Sequence, residues 1–344
     1  MPNRQRRSPK WLLLTLLLAV CPPLAVFAQP DPDAEPKDIV ATTVVGGLTK
    51  PAGIAVRPGG GQTGNDLFIA DSGARRIVST SSAGNGKWTE VVTGFSGDEL
   101  AGPKGLLFIS RNTLLVSSGG ILRGYDISTE NLPIDASDTK MKSALADEEP
   151  GGSSGDLFGI ARNSAAVFVV TNGKIEHEGI LRATISATKL SVLKSFVDTR
   201  NATGGSRPRG IAFSKKGYLV VSQAGESDKP GDSLLGFYHP YDRTAAPALV
   251  LKTGLDDVMA IAYSPKTGDL FAIDFAEQNP ESGGIYRIDA EHDKESGKLG
   301  CKAVLIANVH KPVALTFLGD GTLFVTTFGD QDGEGKLLKL SEKL

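Results

Sequence analysis

Apolar residues along this chain occur in short runs, each bounded by Gly, Pro, Asn or Asp. Such runs are typical of β-strands, and nowhere does an apolar period of 3.6 residues persist for three helical turns. One unit recurs: a turn of small residues, a strand that begins Gly-apolar-apolar, and a second strand of the Leu-Phe type. The pattern therefore predicts an all-β protein built from internal repeats.

The repeats can be counted from one anchor residue in the first strand of each unit. The anchors lie 50 to 54 residues apart and are Gly53, Gly105, Gly159, Gly210, Ala260 and Ala314. Third and fourth strands follow in most units, for example RRIVST and then TEVVTG in the first. Four strands in about 50 residues, repeated six times, predict a six-bladed β-propeller with four-stranded blades.

The two ends of the repeat region predict how the ring closes. Only 30 residues follow Ala314, enough for three strands but not for four. The segment 38–45 (DIVATTVV) precedes the first unit, so we expect it to supply the fourth strand of the last blade. Such closure removes the exposed edges of an open sheet. The propeller is thus predicted to occupy residues 38–344.

Residues 1–28 have the pattern of a cleaved secretory signal: basic residues, an apolar run over 11–20, two prolines, and small residues ending at Ala28. A bilayer span needs about 20 uninterrupted apolar residues, so no membrane span is expected. Residues 29–37, rich in Pro and acidic residues, are expected to form a flexible tether. The protein is therefore expected to be secreted or periplasmic.

Charge and cysteine content restrict the partners. The chain has 37 Lys and Arg against 39 Asp and Glu, a net charge of −2 that becomes −6 when the four basic residues of 1–28 are removed. A mildly acidic domain has no electrostatic basis for binding nucleic acid. Beyond residue 28 the one cysteine is Cys301, so no internal disulfide can form and the core alone must stabilise the fold. A monomer is expected.

The first unit, PAGIAV from Pro51 followed by LFIADSGARRI from Leu67, resembles an NHL repeat. Residues 38–344 as a whole are similar to the six-bladed group that holds NHL proteins, gluconolactonases and pyrroloquinoline quinone (PQQ) sugar dehydrogenases. The resemblance implies an ion pair between Asp71 and Arg75 or Arg76 that joins adjacent strands of the first blade. In most ligand-binding propellers the ligand occupies the mouth of the central channel.

The residue just before each anchor should point into that mouth. By register these residues are Ala52, Lys104, Phe158, Arg209, Met259 and Val313. Gluconolactonases of this group bind a divalent metal with Glu, Asn and Asp from these positions, and hard cations require such oxygen ligands. None of the six has a side-chain oxygen. Asp256 and Asp257 lie close by, but neighbours in an extended chain point to opposite faces, so at most one can turn inward.

The fourth unit, RPRGIAF followed by GYLVVSQAG, resembles the blade with which PQQ sugar dehydrogenases supply an Arg to the cofactor. Arg207 and Arg209 flank Pro208, and both are candidates for bidentate binding of a carboxylate. The catalytic histidine that this family places early in the ring is missing, since the second unit reads GPKGLLF. PQQ is therefore an alternative cofactor for which no base is evident.

Loops on the same face are acidic. Asp330, Asp332 and Glu334 resemble half of a calcium-binding loop, without its distal bidentate Glu. A bound Ca²⁺ or a basic partner is one interpretation of these loops, and a solvated rim is the other.

No catalytic residue is identified from the sequence. The candidates for ligand binding at the channel mouth are Lys104, Arg207, Arg209, Asp256, Asp257, His310 and Lys311. The leading interpretation is a non-catalytic module that binds a protein or a small anionic ligand. The alternatives are a metal-dependent sugar-lactone hydrolase and a PQQ-dependent sugar dehydrogenase.

Overall fold

The innermost strand of every blade begins at the small-residue turn that marks each repeat. The computed structural model describes residues 39–59, 66–84, 86–96, 102–128, 131–145, 155–172, 178–186, 189–226, 229–242, 246–292 and 299–344. The predicted secretory signal and tether lie outside this part of the chain. In the described ranges, no helix has the length and apolar character needed to cross a bilayer.

The strands form six sheets arranged as the blades of a propeller. The fourth strands are β1 (Ala41–Leu48, in blade 6), β5 (Thr89–Thr93), β10 (Met141–Ala144), β14 (Lys194–Asp198), β18 (Leu249–Lys252) and β22 (Leu299–Asn308). The innermost strands are β2 (Pro51–Val56), β6 (Pro103–Phe108), β11 (Asp156–Arg162), β15 (Pro208–Phe213), β19 (Val258–Tyr263) and β23 (Pro312–Phe317). The second strands are β3 (Leu67–Asp71), β7 (Thr113–Ser118), β12 (Ala166–Asn172), β16 (Leu219–Gln223), β20 (Leu270–Asp274) and β24 (Thr322–Thr327). The third strands are β4 (Arg76–Thr80), β8 (Ile121–Asp126), β13 (Gly179–Thr184), β17 (Leu234–Tyr238), β21 (Gly284–His292) and β25 (Gly335–Lys343). Neighbouring innermost strands contact each other all the way round the ring, so the predicted six-bladed propeller is confirmed.

The ring closes through the N-terminal strand, as predicted. Strand β1 pairs antiparallel with β25 and completes the sheet that holds β23 and β24. It begins three residues later than the predicted segment 38–45 and continues to Leu48. The reason is packing, because the side chains of Val45 and Leu48 are buried between blades 6 and 1, with exposures of 1% and 0%.

One strand was not predicted. The chain leaves β8, adds the two-residue strand β9 (Ile134–Asp135) in parallel to β5 of blade 1, and then returns to form β10 of blade 2. The Tyr125 hydroxyl donates a hydrogen bond to the carbonyl oxygen of Ala136 at 2.9 Å and anchors this excursion. Two residues are too short a stretch to show a strand period in the sequence.

The apolar core lies between blades rather than inside one sheet. Among the described residues it consists of six clusters, one at each contact between adjacent blades. Phe68 of blade 1 meets Phe108 of blade 2 edge to face at 5.0 Å, and Phe271 of blade 5 meets Phe317 of blade 6 at 5.3 Å. Such edge-to-face pairs are worth about 1 kcal/mol beyond their area. Each blade is therefore stabilised by both of its neighbours, and this fixes the geometry of the channel between them.

Candidate functional site

Each innermost strand carries a β-bulge at its first residues, where it pairs with the second strand. The pairing shifts between Pro51 and Gly53 in blade 1, between Pro208 and Ile211 in blade 4, and at the corresponding place in every other blade. A bulge leaves a residue out of the ladder and re-aims its side chain. Proline is tolerated there because no N–H is required. The residue before each anchor lies inside the bulge, and this position directs it to the channel.

The anchor glycines allow adjacent innermost strands to approach closely. A Cβ on Gly53 would overlap the carbonyl oxygen of Lys104, and a Cβ on Gly105 would overlap that of Phe158. The Ser117 hydroxyl fixes the second contact, since it accepts a hydrogen bond from the Gly105 N–H at 2.7 Å and donates one to the Phe158 carbonyl at 2.8 Å. The repeated glycine is thus required by the narrow centre of the ring.

The channel contains a cavity of about 310 Å³ that all six blades line. Its wall includes the residue before each anchor: Ala52, Lys104, Phe158, Arg209, Met259 and Val313. Lys50 and Ser72 of blade 1 and Phe328 of blade 6 contribute as well, whereas no carboxylate of the described residues lines it. The volume lies at the lower end of the range for ligand pockets, about 300–1,000 Å³. The cavity is therefore small, basic and largely apolar.

Arg209 is the unusual residue of this wall. Its guanidinium lies over the Phe158 ring, 4.1 Å from the ring centroid. Among the described residues, its buried Nε has no hydrogen-bond partner, and the guanidinium forms no ion pair. Burial, with the neighbouring charge of Arg207 second, lowers the pKa of Arg209 to about 10. The side chain remains charged at neutral pH, and a buried charge without a partner is costly.

Lys104 of blade 2 contacts the same Phe158 ring as Arg209 of blade 4. Its Nζ lies 4.4 Å from the Phe158 centroid and 2.7 Å from Oδ2 of Asp156. The ion pair with Asp156 compensates the lysine charge, whereas Arg209 has no such partner among the described residues. Two cations from blades 2 and 4 thus contact one aromatic ring of blade 3, and of the two only Arg209 forms no ion pair with a described residue. Carboxylates at longer range attract its charge and partly oppose the lowering of its pKa, namely Asp156, Asp257 and Glu277.

Arg207 does not share this position. Its Nη2 lies 3.0 Å from Oδ1 of Asp257 and 3.5 Å from Oε2 of Glu277, and its backbone N–H donates to the carboxylate of Glu178. Arg207 lies outside the cavity wall and joins blades 4 and 5. The sequence placed both arginines at the mouth, but only Arg209 lines the cavity.

Asp256 and Asp257 are held by hydrogen bonds and do not line the cavity. Asp256 accepts from the Gly231 N–H at 2.8 Å, and the second carboxylate oxygen of Asp257 accepts from the Glu277 N–H at 2.8 Å. The backbone N–H groups of both residues donate to the carboxylate of Asp274, at 3.1 and 2.7 Å. Burial raises the pKa of Asp274, and its hydrogen bonds oppose that shift. These carboxylates brace the loop before β19.

Asp71 of blade 1 has the same bracing role. It accepts from the Thr49 N–H at 2.6 Å, and its other oxygen lies 3.0 Å from Nη2 of Arg76. The expected ion pair is therefore present, with Arg76 as the partner. Asp71 and Asp274 end second strands of nearly identical sequence, LFIAD and LFAID. This match between the two strands is the signal from which the bracing role of Asp274 was predictable by analogy with Asp71.

The loop after β24 is held together by its own side chains. The carboxylate of Asp330 lies 2.6 Å from Nζ of Lys311 and 3.2 Å from Nε2 of His310, and both partners lower its pKa. Glu334 accepts hydrogen bonds from two backbone N–H groups of the loop at 3.0 and 3.1 Å, while Asp332 is exposed. In the described ranges no three His, Cys, Asp or Glu side chains are grouped so as to hold a metal ion. The oxygens of Asp330, Asp332 and Glu334 are therefore not arranged as the ligands of a calcium site.

Comparison with known proteins supports the fold. The sequence matches no protein-family model and no curated protein. A gluconolactonase from Xanthomonas campestris superposes with a TM-score of 0.57 at 16% identity, covering 89% of this chain and 91% of that one. The PQQ domain of a pyranose dehydrogenase from Coprinopsis cinerea gives 0.57 at 13%, covering 88% and 96%. A protein of Thermus thermophilus assigned as a glucose dehydrogenase gives 0.60 at 19%, covering 88% and 99%. The chain is thus a six-bladed β-propeller whose structural neighbours are gluconolactonase-like and PQQ dehydrogenase-like propellers.

Proposed function

We propose that the protein is a non-catalytic binding module that takes a small organic anion into its central channel. The observation that carries the proposal is Arg209, a charged side chain in the cavity wall whose buried Nε has no hydrogen-bond partner in the described part of the chain. A carboxylate bound at this place supplies a hydrogen-bond acceptor for Nε and a counter-charge in direct contact with the guanidinium. Charge-assisted hydrogen bonds of this kind are about twice as strong as neutral ones.

The cavity favours a small anion over a protein partner. Its volume of about 310 Å³ admits a small molecule, whereas the surface of a folded protein cannot enter it. Lys50 and the Asp156-paired Lys104 lie in the same wall, so cationic side chains of blades 1, 2 and 4 face a bound anion. Clefts lined by one sign of charge raise the local concentration of the opposite ion.

The enzyme alternatives are supported by the fold of the neighbours but not by side chains of the cavity wall. A lactonase of this fold needs oxygen ligands for its metal, and the described wall contains no carboxylate or amide. A PQQ dehydrogenase needs a base beside the cofactor, and the histidines of the described part, His239, His292 and His310, lie outside the wall. Arg209 and Lys104 suit the carboxylates of PQQ, so PQQ belongs among the ligands to test.

Thermal melting in a chelator tests the proposal, with carboxylates added over a range of concentrations. A ligand at about 100 times its Kd adds roughly 2.7 kcal/mol of stability. Arg209→Met should abolish the shift, whereas Lys216→Met, which removes a charge from the exposed turn between β15 and β16, should keep it. Equal shifts in wild type and Arg209→Met would refute the proposal. Turnover of a lactone with added metal, or of a sugar with PQQ and Ca²⁺, would establish one of the enzyme alternatives instead.

We also propose that binding takes place outside the cytoplasm, in the periplasm or after secretion. The support is the basic, apolar and small-residue pattern of residues 1–28. Mass spectrometry of the exported protein should find Gln29 as its first residue. Recovery of intact residues 1–28 on a cytoplasmic protein would contradict this proposal without affecting the one on binding.

A further inference from the structure

The cavity wall is poor in neutral hydrogen-bonding groups. Of its described side chains, only Lys50, Ser72, Lys104 and Arg209 are polar, and Ser72 is the one without a charge. Backbone groups at the bulges are in part already bonded, since Ser117 holds the Gly105 N–H and the Phe158 carbonyl. A sugar buried here would have hydroxyl groups without hydrogen-bond partners, and each such hydroxyl would weaken binding.

The charged and the apolar side chains of the cavity wall lie on different sides of the ring. The bulge residues of blades 2, 3 and 4 are Lys104, Phe158 and Arg209, so these blades form a cationic side. The bulge residues of blades 5 and 6 are Met259 and Val313, and Phe328 extends this apolar side. The Phe328 ring is fixed edge to face against Phe275 at 5.7 Å. Blade 1, between blades 6 and 2, adds Ala52 and Lys50 to the wall. A ligand that reaches from Arg209 to this apolar side therefore meets positive charge at one end and hydrocarbon at the other.

We infer that the ligand is an amphiphilic carboxylate, an organic acid with a compact apolar body, and not a polyhydroxy sugar acid. The carboxylate binds Arg209, and the apolar body packs against Met259, Val313 and Phe328. This inference rests on the proposed anion-binding function and adds the class of anion. Carboxylate and hydrocarbon are both needed, because the charge satisfies the arginine and the apolar body excludes water from the pair.

A series of straight-chain carboxylates from acetate to octanoate tests the inference on the purified protein. Affinity, measured by calorimetry and by melting shifts, should rise about four-fold for each added methylene group until the cavity is filled. Gluconate, which has the same number of carbon atoms as hexanoate, should bind no better than acetate. Hexanol should not bind measurably, because it lacks the charge that Arg209 requires.

Two variants separate the apolar contribution from the ionic one. Val313→Thr should lower the affinity for hexanoate about ten-fold and leave that for acetate unchanged, since it places a hydroxyl beside the hydrocarbon. Met259→Gln provides the same test at the neighbouring blade if Val313→Thr fails to fold, as judged by its melting curve. Arg209→Met should weaken every member of the series.

The outcomes distinguish the two proposals. A flat series, or gluconate binding more tightly than hexanoate, would overturn the amphiphilic ligand while leaving anion binding intact. Absence of binding by every carboxylate, PQQ included, would overturn the proposed function and this inference together. A rising series that Val313→Thr and Met259→Gln do not alter would place the apolar contact outside the cavity and so overturn the inference.

Discussion

Arg209 has no ion-pair partner among the residues that the structure describes, so its removal should stabilise the ligand-free protein. Arg209→Met replaces the guanidinium with an apolar chain of similar length in a wall that is already largely apolar. Substitutions at binding sites often act in this direction, because such sites hold groups whose partner arrives only with the ligand. We therefore expect greater stability together with loss of anion binding.

The magnitude follows from the charge and its contacts. A pKa of about 10, against an ordinary value of 12.5, corresponds to about 3 kcal/mol against the charged form in the folded state. The stacking of the guanidinium on Phe158, at 4.1 Å, offsets about 1–2 kcal/mol of this. The variant should thus be more stable by about 1–2 kcal/mol, which raises its Tm by roughly 2–5 °C.

Calorimetric melting and guanidinium denaturation near pH 7, without added anions, measure this difference. Arg209→Lys is the matched control, because it keeps a positive charge at the same position and should not be stabilised. With saturating ligand the order should reverse, since only the wild type gains binding energy. A loss of more than about 1 kcal/mol in Arg209→Met without ligand would show that the guanidinium is a structural group, and the reasoning would fail.

Three further predictions concern the surroundings of the site. Arg207→Met should lower stability by about 2 kcal/mol, because it removes the cation bonded to the buried Asp257; unchanged denaturation would contradict this role. Gly105→Ala should cost about 1–3 kcal/mol through overlap with the Phe158 carbonyl, whereas Gly319→Ala, with open space around it, should be nearly neutral. Equal effects of these two alanine substitutions in denaturation experiments would argue against close packing of the innermost strands. Since Lys311 and His310 lower the pKa of Asp330, its carboxylate stabilises the fold above pH of about 4 and loses this effect as the pH falls. The Tm difference between wild type and Asp330→Asn should therefore be present at pH 7 and shrink as the pH falls below the ordinary pKa of Asp, and a difference that stays constant through that range would contradict the assignment.

The strands were predictable because their pattern is local in the sequence, and the six-bladed ring was predictable because its repeats can be counted. A strand is specified by which side chains a short segment buries, and the repeat of 50 to 54 residues gives the number of blades directly. Strand β9 was not predictable, since two residues carry no period and its partner β5 lies some 40 positions earlier in the chain. The role of the buried Glu178 carboxylate was not predictable for a related reason: its partners, Arg200 and the Arg207 backbone, are distant in sequence.

The two arginines of blade 4 show most clearly which features the sequence predicts and which only the structure decides. Residues two apart in a regular strand point to the same face, so the sequence assigned Arg207 and Arg209 one common ligand. The β-bulge between Pro208 and Ile211 breaks this alternation and turns Arg209 into the channel, while Asp257 of the next blade holds Arg207 outside it. By itself the sequence determined the blades, the closing strand and the positions that face the channel, because these follow from the periodicity of one chain segment. Only the tertiary structure decided that Arg207 forms an ion pair whereas Arg209 forms none with a described residue, because ion-pair partners are neighbours that the fold brings from other blades.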